Sequence, residues 1–274
     1  MRIGVLHPGE MGVCVAQALA EAGHQPCWVS QGRSPMTRRR AGAFQEFKSL
    51  PELLNDVQAL ISVCPPDAAL KMAQSVMLLG YRGIYVDANA IAPATALQIA
   101  ALVGGGFVDG GIIGPPARRA DTTRLYLCGP EAEQVASWFE GSLLAVICLP
   151  ERETQVAASA LKMAYAAYTK GTAALLLSVN ALAQALDVEH ALAAEWAQSQ
   201  PNLASLSQQV ATGTGPKAWR FEGEMYEIAQ TYADADLPPQ FHQAAAEVFS
   251  RMATLKERSA PDLASVIQQL LAAR

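Results

Sequence analysis

Lys162, Tyr165 and Thr169, three residues with transferable protons, recur at helical intervals within Glu151 to Val188, a stretch with no proline and Gly171 as its one glycine. Side chains three and seven residues beyond Lys162 share its face of a helix. An amine, a phenol and a hydroxyl thus line one face of that helix. The amine admits two readings, because a lysine in apolar surroundings is costly to bury. Its head can snorkel to solvent, or a task or a partner holds it in those surroundings. Alanine and leucine fill most of the remainder, so one helix of roughly 50 Å is expected at ~1.5 Å per residue. A helix of that length crosses between domains or builds an interface.

A second chemistry is written near the N-terminus. His7-Pro8-Gly9-Glu10-Met11-Gly12 follows the apolar run Arg2 to Leu6. Laid on G-x-G-x-x-G, it keeps Gly9 and Gly12 and has His7 at the first glycine. Gly9 would let backbone approach a pyrophosphate at a helix N-terminus, and Gly12 would allow close packing of helix on strand. The motif follows a strand and opens a helix, the context dinucleotide binding requires. His7 is read as a loop residue beside the cofactor. At the end of the next strand, an acid would hold the ribose hydroxyls of NAD. Here the chain has Ser30, Arg33 and Ser34, then Arg38 to Arg40. Guanidinium binds phosphate in a fork, so the pocket suits the 2′-phosphate of NADP (NADPH) over NAD. The alternative is that these arginines only solvate an exposed loop.

The elements that must carry these residues alternate strand and helix. Strands are expected at Arg2 to Leu6, Gln25 to Ser30, Phe44 to Phe47, Ala59 to Cys64, Gly83 to Asp87, Phe107 to Asp109, Arg124 to Cys128 and Val146 to Leu149. Helices are expected at Gly12 to Ala22, at Pro51 to Asn55, from an Asp67 cap to about Leu79, and from Pro93 to about Val103. After Glu151 the strand pattern stops. Further helices are expected at Glu189 to Gln198, Asn202 to Val210, Arg220 to Ala233, Pro239 to Glu257 and Asp262 to Ala273, broken by Pro201, Gly213–Pro216, Pro238–Pro239 and Pro261. The fold class is α/β. A doubly wound, largely parallel sheet over 1–150 precedes an all-helical domain over 151–274, and a long interdomain helix joins the two.

Composition narrows the function. The chain has 51% hydrophobic residues and a formal net charge of −5. It can bury a substantial core, and it lacks the broad basic surface that nucleic acid requires. Five cysteines without CxxC or His/Cys metal spacing fit free thiols in a reducing cytoplasm. Arg2 leads straight into a strand, which argues against a signal peptide. Lys162, Lys170, Asn180 and Gln184 interrupt the longest apolar run, which argues against a membrane span. A soluble cytoplasmic protein is the expectation.

Four local signatures, in order, give the chain a family resemblance. They are the glycine turn with Met11-Gly12, then Cys64-Pro65-Pro66, then Asp87-Ala-Asn89-Ala-Ile-Ala-Pro93, and then Asp109-Gly-Gly-Ile-Ile-Gly114. Lys162 follows in the interdomain helix. The whole resembles the β-hydroxyacid dehydrogenase superfamily, which includes 6-phosphogluconate and 3-hydroxyisobutyrate dehydrogenases and the imine reductases. The C-terminal part is similar to a phosphogluconate-dehydrogenase-type domain of unassigned function.

The resemblance implies an NADP-dependent hydride transfer with Lys162 as general acid/base, aided by Tyr165. It places Cys64, Pro65, Pro66 and Asn89 against the cofactor. It places Asn89, Ile112, Ile113, Gly114, Lys162, Tyr165, Thr169 and His242 at the substrate. Asn89 could equally be a turn former, and His242 a core or interface histidine. The chain departs from the family at two places. Tyr165 and Ala166 replace the asparagines of K-x-x-N-N, and Ile113 and Pro115 replace the serine and second glycine of the substrate loop. These changes remove polar groups that hold a hydroxyacid's carboxylate and hydroxyl. Arg118 or Arg119 could restore an anion contact, or be surface charge. The resemblance also implies a homodimer through the helical domain. Three functions follow: a hydroxyacid or ketoacid oxidoreductase, an imine reductase on the same scaffold, or a non-catalytic NADP-binding regulator.

Overall fold

Short apolar runs bounded by glycine and proline become the strands of one sheet. A computed structural model of the chain describes residues 1–150, 155–256, 258 and 260–272. From the N-terminus the elements are β1 (Arg2–Leu6), α1 (Glu10–Glu21), β2 (Gln25–Val29), α2 (Pro35–Ala41), β3 (Gln45–Phe47), α3 (Leu50–Leu54), β4 (Ala59–Ser62), α4 (Pro66–Leu78), β5 (Ile84–Asp87) and α5 (Pro93–Val103). They continue as β6 (Phe107–Ile113), β7 (Arg124–Cys128), α6 (Ala132–Ser137), β8 (Ala145–Cys148) and α7 (Ala157–Ala185). The sheet order is β3-β2-β1-β4-β5-β6-β7-β8. All neighbours are parallel except β6 and β7. The chain steps outward from β1 in one direction and from β4 in the other, the reversal that defines a doubly wound sheet.

Side chains alternate between the two faces of this sheet with the period of two expected of strands. Ile3, Val5, Ile61, Val86 and Val108 face a layer shared with α1 and α6. Leu6, Leu60, Tyr85 and Phe107 face the layer built by α3, α4 and α5. The central strands β1, β4 and β5 are covered on both faces, so they read as near-continuous apolar runs, whereas β3 at the edge is largely exposed.

The structure differs from the sequence reading at several points. A helix, α2, occupies the Arg38–Arg40 segment. Ser34 caps it, its Oγ accepting from Thr37 N at 3.2 Å, and Pro35 opens it. Serine followed by proline is a helix start, and the arginine run masked it. β6 extends to Ile113 rather than stopping at Asp109, because antiparallel β7 supports it through Gly110 and Gly111. Asp67 lies in the first turn of α4 and is not its cap. The long helix starts at Ala157 rather than Glu151 and ends at Ala185, a length of roughly 43 Å at ~1.5 Å per residue. Glu151 to Thr154 lie outside the described residues.

The chain divides into two compact units, Met1–Met163 and Ala164–Arg274. The division falls inside α7, whose first turns pack directly on β6. The second unit holds the rest of α7 with α8 (Glu189–Ser199), α9 (Leu203–Thr214), α10 (Ala218–Asp234), α11 (Gln240–Arg251) and α12 (Leu263–Ala272). α11 ends well before Glu257, at a short 3-10 turn over Ala253–Leu255. Its core includes Met225, Ile228, Phe249 and Val266, and Phe221 meets Phe249 edge-on at 5.4 Å. No helix among the described residues is long and apolar enough to cross a membrane.

Candidate active site

The reversal of strand order puts the C-terminal ends of β1 and β4 side by side, the usual place for a ligand in an open α/β sheet. His7 leaves β1 with φ 65°, in the left-handed region, and Gly9 N donates to His7 O at 2.7 Å. Gly9 precedes α1, and no side chain caps that helix. A Cβ added at Gly9 would meet nothing nearer than the His7 ring at 3.6 Å, whereas one at Gly12 would lie 2.6 Å from His7 O. The missing Cβ at Gly12 lets α1 press against the turn. The missing Cβ at Gly9 leaves room above the helix N-terminus. Amide donors and the positive helix end together suit a pyrophosphate. Burial and the nearby Arg33 guanidinium both lower the His7 pKa, so its imidazole stays neutral at pH 7.

At the end of β2, Ser30 is buried and committed to protein. Its N donates to Phe47 O at 2.9 Å and its Oγ to the same oxygen at 3.4 Å. Ser34 is likewise committed as the cap of α2. Arg33 is different. Its Nε is buried and finds no hydrogen-bond partner among the described residues, and its guanidinium lies near His7 and Cys64. An orphaned guanidinium donor beside a glycine turn, with no carboxylate on the β2 loop, fits a phosphate-bearing cofactor.

Cys64-Pro65-Pro66 joins β4 to α4, and Asn89 fastens it. Asn89 is 1% exposed. Its Oδ1 accepts from Cys64 N at 2.5 Å, and its Nδ2 donates to Asp87 Oδ2 at 2.9 Å and Ser62 Oγ at 3.1 Å. With its amide so engaged, Asn89 clamps the loops after β4 and β5. Burial pushes the Asp87 carboxyl up to about 7, offset by the Asn89 backbone donor and reinforced by Asp109.

On the same edge of the sheet, β6 ends at Ile112 and Ile113, both buried. Lys162 Nζ, on a half-buried side chain, donates to Ile112 O at 2.7 Å. One turn earlier on α7, Ser159 donates through N and Oγ to the Asp109 carboxylate at 2.9 and 2.5 Å. Sequence reasoning missed this pair, whose members are 50 residues apart. Gly114 leaves the strand with φ 123°, a conformation that suits glycine. Arg118 and Arg119 beyond it are exposed.

The remaining expected residues belong to the second unit. Tyr165 is 47% exposed, and the Thr169 hydroxyl donates to Tyr165 O at 3.1 Å. His242 is buried between Tyr232 and Phe241, with ring centroids 4.3 and 5.1 Å away, and its Nδ1 finds no partner among the described residues. Burial lowers its pKa. A Cβ at Gly171 would meet Phe241 at 2.9 Å and His242 at 3.6 Å, so this glycine admits the packing of α11 on α7. His242 therefore sits in the helical core of its own unit. Lys170 pairs with Glu224 beneath Phe221, an ion pair the sequence reading did not identify.

Comparisons with known proteins agree with this architecture. A family described as "Domain of unknown function (DUF1932)" matches residues 183–252. An uncharacterized 28.5 kDa protein from the 7S RNA 5′ region of Methanothermus fervidus is 30% identical over 190 residues, 68% of this chain and 72% of that protein. A solved conserved protein of unknown function, described as structurally similar to 3-hydroxyacid dehydrogenases, is 26% identical with TM-score 0.66, covering 93% of this chain and 98% of that one. A Mycobacterium tuberculosis 3-hydroxyisobutyrate dehydrogenase with L-serine shares the fold at 16% identity and TM-score 0.66, over 98% of each chain. So does an Aspergillus terreus reductive aminase in complex with NADPH and ethyl levulinate, at 15% and 0.56, over 97% of this chain and 98% of that one.

Proposed function

We propose a function on the premise that the chain belongs to the family of the Methanothermus fervidus protein and to the β-hydroxyacid dehydrogenase-like superfamily. It is an NADP-dependent oxidoreductase that moves a hydride between nicotinamide and a small hydroxyacid- or ketoacid-type substrate. The observation that carries this reading is the geometry of one sheet edge. There the uncapped start of α1, the orphaned Arg33 Nε and the Lys162 amine all stand at the C-terminal ends of parallel strands. NADPH, when bound, supplies the hydride. The chain supplies the rest. The glycine turn binds the pyrophosphate, Arg33 holds the 2′-phosphate, and the Asn89 clamp keeps the Cys64 to Pro66 loop in place. Lys162 delivers the proton to the substrate oxygen during reduction and removes it during oxidation. Tyr165, three residues on along the same helix, assists that transfer.

Imine reduction is the second reading. Ile113 and Pro115 stand where the family has polar or small residues, which favours a substrate without a carboxylate, and the reductive aminase fold is shared. A cofactor-binding regulator without turnover is the third.

The cofactor reading is tested by fluorescence titration of the protein with NADPH and with NADH. NADPH should bind more tightly. Arg33→Ala should weaken NADPH by about 10–100-fold, the loss of a charge-assisted phosphate contact, while NADH changes little. Equal affinity for both cofactors would remove the 2′-phosphate assignment.

The reading places the protein in the cytoplasm as a homodimer. α7 exposes Tyr168, Leu175 and Leu182 at seven-residue intervals, with Leu186 beyond them, and α8 buries no side chain in its own unit. A heptad-spaced apolar seam fits a second copy of the same helix. Light scattering should report a dimer, and Leu175→Glu with Leu182→Glu should give a monomer. A monomeric wild-type protein at tens of micromolar, roughly the range in which weak association is populated, would contradict the dimer.

A further inference from the structure

We infer that Asp109 is a positioning residue for Lys162: from β6 it caps the first turn of α7 and so sets where the lysine amine stands. The inference rests on the proposed acid/base role of Lys162. The first N–H groups of a helix have no partner within it, and Val156, the residue before α7, brings no polar side chain. Asp109 supplies the acceptor from another element. Its Oδ2 accepts from Ser159 N at 2.9 Å and its Oδ1 from Ser159 Oγ at 2.5 Å, and both residues are buried. One helical turn later, Lys162 Nζ donates to Ile112 O at 2.7 Å. Ile112 lies three residues beyond Asp109 on the strand. Strand and helix are thus tied at two points, each joining residues 50 apart in sequence.

The spacing explains why the second tie uses a lysine. Three strand residues advance ~10 Å, whereas three helical residues advance ~4.5 Å. The helix backbone falls short of Ile112, and a long side chain spans the remainder. Gly111, between the two ties, completes the seat. A Cβ there would lie 2.6 Å from Ala158 O and 3.3 Å from the Lys162 Cβ. With the first tie fixed and the helix held this close, the amine has one short range of positions. A carboxylate at this end also complements the helix dipole. Burial raises the Asp109 carboxyl to about 6 against the Ser159 donors, so it remains the ionised acceptor at neutral pH.

The test compares Asp109→Ala, Asp109→Asn and Ser159→Ala in the full chain. The first readout is the rate at which an amine-acylating reagent modifies Lys162, measured by peptide mass spectrometry and normalised to exposed Lys48. Asp109→Ala should raise that rate about five-fold, the equivalent of a ~1 kcal/mol cap at 1.4 kcal/mol per tenfold. Asp109→Asn keeps an acceptor for Ser159 N and should stay within about two-fold of wild type. The second readout is turnover, where Asp109→Ala should lower kcat without changing cofactor affinity and Asp109→Asn should restore most of it. If Asp109→Ala does not fold, Ser159→Ala carries the same expectation with a smaller rise. Equal Lys162 modification in wild type and variants overturns the inference. Modification that shifts while no protein turns over any substrate retains it and rejects the proposed function instead.

Discussion

Lys162→Ala should bind NADPH within about two-fold of wild type and lose ~10²–10⁴-fold in kcat, the usual effect of removing a general acid/base. The two halves of this expectation rest on different residues. In the proposed function, cofactor affinity resides in the turn between β1 and α1 and in Arg33. The lysine meets Ile112 on β6, three strands away from β1 in the sheet. Lys162→Met, which keeps the apolar stem, should lose as much rate as alanine and thereby separate proton transfer from packing. Lys162→Arg should not rescue, because guanidinium stays protonated at any working pH. Steady-state turnover alongside the cofactor titration checks all three. Wild-type kcat in Lys162→Met would remove the lysine from the chemistry.

Gly111→Val should carry the second large effect. Its Cβ would meet the Ala158 carbonyl at 2.6 Å, and a backbone oxygen in the first turn of a helix cannot swing aside as a side-chain tip can. Overpacking of this kind costs about 1–3 kcal/mol, readable as a lower urea midpoint with an unchanged slope. α7 relieves the clash by moving away from β6, and it carries Lys162 with it. A displacement near 1 Å costs on the order of 10²-fold in rate, so activity should fall further than stability. Gly105→Ala is the control, because a Cβ there meets nothing within 4 Å. Wild-type stability and turnover in Gly111→Val would mean that close seating of α7 on β6 is not needed.

Much of this arrangement was legible in the chain. The alternation of apolar runs with glycine and proline turns located the strands, and Gly9 and Gly12 located the turn between β1 and α1. Lys162 could be singled out because a charge in an alanine-rich helix lacks a local explanation. What escaped was non-local or masked. Asp109 and Ser159 are each ordinary in sequence, and only the register of β6 against α7 makes one the cap of the other. Asn89 reads as a ligand beside a cofactor loop, yet its partners, Cys64 and Asp87, come from two strand ends that only the sheet brings together. α2 was hidden because three arginines read as loop, although Ser34-Pro35 is a helix start. The long helix was placed early because composition continues past the point where the backbone turns. His242 shows the converse. Its apolar helix admits a core residue as well as a ligand, and aromatic rings pack around it.

The central claim is that this sheet edge performs hydride transfer with Lys162 moving the proton. The most direct test follows loss of nicotinamide absorbance from NADPH with a panel of small ketoacids and cyclic imines, with reduced product quantified in the same reaction. The account predicts that NADPH is consumed in a one-to-one ratio with a reduced ketoacid product, and that Lys162→Met abolishes both. Tight NADPH binding with no consumption against any member of either class would contradict it, and would make the protein a binder of the cofactor rather than an enzyme.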